Sequence, residues 1–83
     1  MPVPSPFQKE EPTGYKSTPT EELELRRQLE PLILDESKAY DEYEGLSGTA
    51  YNIGRPDIAD ELRKIAEDEW RHHTILQRIV RGL

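Results

Sequence analysis

Two runs of apolar residues, stepping alternately by four and three positions, flank one clear turn at Asn52-Ile53-Gly54-Arg55-Pro56. The first runs Leu25, Leu29, Leu32, Glu36, Ala39, Tyr43, Leu46, Ala50 and Ile53; the second runs Ile58, Leu62, Ile65, Glu69, His72, Leu76 and Ile79. A repeat near 3.5 residues is the mark of helices packed at a shallow angle in a bundle or coiled coil. Ile33, Tyr40, Ala59, Ala66, His73 and Val80 broaden the two stripes. No strand alternation occurs anywhere, so the spacing predicts an all-α fold, an antiparallel two-helix hairpin.

Local signals place the ends. Thr18 reads as an N-cap, Pro19 suits the first helical position, and Glu21 completes a capping box. From there the pattern runs to about residue 52, interrupted by Pro31, which removes a backbone donor and is expected to kink or restart the helix. The expectation is a short helix over 19–30 and a longer one over 31–52, with Gly45 and Gly48 weakening its end. Gly54 can take the left-handed conformation that stops a helix, and Pro56 opens the next, expected over 56–82. Asp60/Lys64 and Glu67/Arg71 are candidate helix-supporting pairs four residues apart. Residues 1–17, with Pro2, Pro4, Pro6, Pro12 and Gly14, carry neither period and read as a disordered arm ahead of a helical unit spanning 18–83.

Three residues do not belong on these stripes. Glu36, Glu69 and His72 fall where the pattern demands apolar side chains. A buried, unpaired carboxylate is costly, and two carboxylates with an imidazole satisfy one another only in part. A divalent metal does so better, since carboxylate oxygen and neutral imidazole suit iron, manganese or zinc. Glu69 and His72 are three apart, hence on one helical face. His73 reads as capping the interface or reaching solvent, a residue behind the ligands; four residues from Glu69, it could also share a metal, but His72 lies on the strict repeat. Tyr43, two turns beyond Glu36, is either core filling or a hydrogen-bond partner behind the ligands. Tyr40 and Trp70 read as packing or interface residues. Asp35, Asp41, Glu42 and Glu44 read as a solvated face or, less simply, an acidic funnel for cations.

Composition sharpens this. In 83 residues the charged and apolar shares are each 34%, a small core that metals or oligomerisation usually have to support. A net charge of −6 argues against nucleic acid and suits cations. The absence of cysteine excludes thiolate and iron–sulfur sites. No apolar run reaches the length of a signal peptide or membrane span, so a cytoplasmic protein is the expectation.

The stretch Leu34-Asp35-Glu36-Ser37-Lys38-Ala39-Tyr40-Asp41-Glu42-Tyr43 has a glutamate followed by alanine three positions on and tyrosine seven on. Ile65-Ala66-Glu67-Asp68-Glu69-Trp70-Arg71-His72 carries a Glu-x-x-His pair. Together they resemble the ligand helices of the ferritin-like superfamily, rubrerythrin-type sequences in particular, over residues 20–82. That resemblance implies a di-iron four-helix bundle in which Glu36, Glu69 and His72 are metal ligands and catalytic residues. Ferritin-like chains carry two such helix pairs, and here there is one. The chain is therefore similar to half-length, encapsulated-ferritin-like proteins, whose site forms between subunits. This implies a homodimer or a multiple of dimers, ferroxidase activity toward Fe(II) with O₂ or peroxide, and an encapsulating shell protein around it as a nanocompartment. Two other classes fit the same residues: a non-enzymatic helical interaction module, and a zinc- or manganese-stabilised structural dimer.

Overall fold

The structure, a computed structural model, describes residues 16–83. Two α-helices, α1 (Pro19–Asn52) and α2 (Pro56–Arg81), form an antiparallel hairpin, and no strand occurs among the described residues. The arm expected over 1–17 falls mainly on residues outside that range; Lys16 and Ser17 lead into α1 without regular structure.

The helix starts follow from their caps. Thr18 Oγ1 accepts from the Glu21 N–H at 3.1 Å, and the Glu21 carboxylate accepts from the Thr18 N–H at 2.9 Å. This closes the capping box and satisfies two donors that a helix start leaves orphaned. Pro31 does not divide α1. The helix runs through it without a break, so the expected separation into 19–30 and 31–52 is wrong. Pro31 and Arg27 are both exposed, so water can meet the Arg27 carbonyl that loses its partner. Gly45 and Gly48 are likewise absorbed, and Thr49 Oγ1 donates back to the Gly45 carbonyl at 3.2 Å.

The turn is built as the sequence expects. Gly54 has φ +84°, its N–H donates to the Tyr51 carbonyl at 3.1 Å, and the Arg55 N–H donates to the Ala50 carbonyl at 2.9 Å. These two bonds define a Schellman motif, which places a residue without a Cβ at the left-handed position. Pro56 then starts α2, and the Arg55 guanidinium pairs with the Asp57 carboxylate at 3.0 and 3.2 Å. That guanidinium, aided by the Ile58 N–H, holds the Asp57 carboxyl below its ordinary range. Ion pairs along α2 form three residues apart, Lys64–Glu61 at 3.2 Å and Arg71–Asp68 at 2.7 Å, in place of the expected Asp60/Lys64 and Glu67/Arg71. All four side chains are exposed, so these pairs contribute little to stability.

Small residues make the helix–helix contact near the turn. Ser47, Ala50, Ala59 and Ala66 are buried, and Val80 closes the far end. The Ser47 hydroxyl donates across to the Ala59 carbonyl at 2.8 Å, a buried bond between the helices. The contact is rotated from the strict repeat toward Ile33, Ser37, Tyr40 and Ser47, which are half-buried or buried. Leu25, Leu32, Leu46, Ile53, Ile58, Ile65 and Ile79 consequently stay 39–71% exposed. The described chain is 13 Å across its thinnest axis, the diameter of one helix layer. A layer needs a second to bury its apolar face. The hairpin has one layer only.

Candidate metal centre

Glu36 lies near the middle of α1, and the antiparallel pairing sets it opposite Glu69 and His72 of α2. One donor atom from each converges, all within 4.8 Å of one another. The closest ion-pair contact is His72 Nδ1 to Glu36 Oε2 at 3.7 Å, beyond a hydrogen bond. Glu36 Oε2 is itself buried without a hydrogen-bond partner. The Glu36 side chain is 25% exposed and that of His72 50%, so the group sits at the edge of the hairpin contact and opens on one side.

Its electrostatics match a site that needs a cation. The Glu69 carboxyl is raised above its ordinary range, first by its hydrogen bond to Glu36, then by burial and by the Glu36 charge; His72 opposes the shift. Two carboxylates set this close hold a proton more tightly than one alone, because ionising both would set like charges together. A divalent ion held there would offset the same charge. The orphaned Glu36 oxygen, the Glu69 carboxyl and the His72 imidazole form an oxygen-rich donor set with one nitrogen, suited to iron, manganese or zinc. Three protein donors fall short of a closed four-coordinate shell.

The structure brings together Glu36, Glu69 and His72, the three ligands read from the repeat. It does not bring His73 to them. That ring stacks on Trp70, with centroids 4.8 Å apart and planes 14° apart, and its Nδ1 is buried without a partner. Trp70 in turn meets Tyr40 at 5.2 Å in a tilted arrangement, so both aromatics pack as expected. Tyr43 is half-buried. His73 also lines a groove of about 500 Å³ with Ile33, Leu34 and Val80, which contains none of the three ligands.

Ser47 was not legible as a contact residue. Its signal was weak: a hydroxyl one position beyond Leu46, with two small residues, Ala59 and Ala66, spaced seven apart on α2. No helix among the described residues is long and apolar enough to cross a membrane. Comparison with protein-family models, curated proteins and solved structures finds no match.

Proposed function

We propose that this chain is a ferritin-like, ferroxidase-type protein whose di-iron centre is completed when two hairpins close into a four-helix bundle. The observation that carries the reading is the convergence of Glu36, Glu69 and His72 within 4.8 Å on a face still lined by exposed leucine and isoleucine. The resemblance of residues 34–43 and 65–72 to ferritin-like ligand helices supports the same reading. A two-fold partner would double the donor set to four carboxylates and two imidazoles, enough for two metal ions.

In this reading Fe(II) is the substrate. Two Fe(II) ions give one electron each to O₂, which takes up two protons to leave as hydrogen peroxide; with peroxide as oxidant the products are two waters. Glu36 holds or bridges the ions, and each Glu69/His72 pair binds one. Carboxylates favour the higher oxidation state through their charge, and the histidines keep the site from being wholly anionic. Mineral storage would need a compartment made by another protein, since two hairpins enclose no such cavity.

Oxygen consumption on adding Fe(II) tests this. Wild type is expected to consume O₂ in proportion to iron. Glu36→Ala and His72→Ala are expected to fall to the rate of iron in buffer. Wild-type rates in both variants would overturn the assignment. One observation favours a second reading, a helical interaction module: His72 Nδ1 lies at ion-pair distance, 3.7 Å, from Glu36 Oε2, which partly satisfies the polar group without metal. In that case chelators leave association and thermal stability unchanged.

A further inference from the structure

We propose that a second face of the hairpin, beside the one that carries Glu36, is a docking track for this chain's own N-terminal segment. The segment is residues 4–11, and Phe7 is its apolar anchor. The contact calls on neither a metal nor iron oxidation.

Two grooves mark the track. One, of about 300 Å³, lies at the start of α1 and is lined by Ser17, Pro19, Leu23, Arg26 and Leu83. The other, of about 500 Å³, lies farther along and is lined by Glu30, Ile33, Leu34, His73, Val80 and Arg81. On α1 the lining positions 19, 23, 26, 30, 33 and 37 step by three or four, so both grooves open on one helical face. Leu23 and Leu34 on that face are 50% and 57% exposed. Leu34, two positions before Glu36, lies about 160° around the helix from it. Pairing of two hairpins through the repeat of Glu36 does not account for these leucines.

Chain length selects the occupant. Ile33 stands fourteen residues beyond Pro19, about 21 Å along α1. Pro4, Pro6 and Pro12 favour an extended chain, which advances about 3.1 Å per residue. Phe7, nine residues before Lys16, therefore reaches about 28 Å back along α1, past Ile33 to the level of Ser37. There its ring covers Ile33 and Leu34. Charge supports the same register. Lys9 falls within about a turn of Glu30, and Glu10 and Glu11 fall on the side of Arg26 and Arg81. Among the described residues none of Arg26, Glu30 and Arg81 has an ion-pair partner. His73 Nδ1, buried without a partner, belongs to a ring that lines this groove, and Gln8 brings an amide donor beside Phe7. Tethering favours this segment over a free peptide, since a short linker holds it at an effective concentration on the order of millimolar.

The chain has no cysteine, so Ser5→Cys gives the full-length protein a single site for a nitroxide spin label. Nuclear magnetic resonance of that chain, isotope-enriched and kept in chelator, tests the docking. The amide signals of Leu34, Ser37, His73 and Gln77 are expected to broaden, and those of Gly54 and Ala59 near the turn to stay sharp. Phe7→Ser in the labelled chain is expected to lose the broadening, and it leaves the packing between the helices untouched. Leu34→Ser, at an exposed position, is expected to do the same from the groove side. Broadening that is strongest at Thr18 and fades before Leu34 would overturn the docking. Full broadening in the Phe7→Ser chain would overturn Phe7 as the anchor. Spin-labelled chain without isotope, mixed with enriched chain without label, is expected to leave the signals sharp. Equal broadening in that mixture would overturn the chain's own segment as occupant and assign the groove to a second copy's.

Discussion

The turn end of the hairpin and its middle are built from the same two helices and behave in opposite ways. Near the turn, Ser47, Ala50, Ala59 and Ala66 let the backbones approach closely; all four are at most 6% exposed, and the one buried hydroxyl has its acceptor. Farther along, Glu36, Glu69 and His72 sit at the edge of the contact, one carboxylate oxygen has no partner, and the face around them remains open. The first region is finished within one chain. The second is not. The difference teaches that stability and the candidate chemistry are separated along the hairpin: small residues lock one end so that the middle can carry polar groups at a cost.

Substitutions break or sharpen that contrast. The largest effect is expected at the locked end. Ala66 is 0% exposed, so Ala66→Leu must push the helices apart and is expected to destabilise the hairpin by about 2–3 kcal/mol in urea denaturation. The middle should respond with the opposite sign. In chelated protein, replacing both Glu36 and Glu69 by leucine removes a costly polar pair, and the same measurement is expected to show a gain of about 1–2 kcal/mol, modest because the site is only partly buried. Loss of stability in that double variant would place the carboxylates among the stabilising contacts.

A smaller, signed effect follows from pH. The Glu69 carboxyl is raised above its ordinary value of 4.5, so the folded metal-free chain holds this proton more tightly than the unfolded chain does. The contribution is fully present below pH 4.5 and is lost as pH rises through the folded value. Thermal denaturation of chelated protein is therefore expected to show a fall in stability above pH 4.5 that Glu69→Gln removes. With metal bound the sign reverses, since the ion competes with the proton for the same oxygens.

Much of this was legible in the sequence. The Thr18/Glu21 box, the Gly54 stop and the Pro56 start are local signals, each dictated by a few backbone donors, and each holds. The convergence of Glu36, Glu69 and His72 was legible because an antiparallel hairpin around a known turn fixes which residues face one another. Pro31 misled, because its local cost is outweighed by the helix on either side and by exposure of the carbonyl it orphans. The true contact line was also misplaced. The stripe through Ser47 lies one position from the stripe through Leu46, and spacing alone does not tell the two apart. His73 illustrates the same limit: its neighbour Trp70 captures the ring, a packing choice that spacing does not encode.

The central claim is that the polar group in the middle of the hairpin is a metal centre built for two ions between two chains. Anaerobic Fe(II) titration of chelated protein, with iron counted per chain and molar mass followed by light scattering, tests it most directly. The account predicts about one iron per chain, saturating together with a doubling of mass. An assembly that binds no iron and keeps its mass in chelator would contradict it, and would leave Glu36, Glu69 and His72 as a polar network within a helical interaction module.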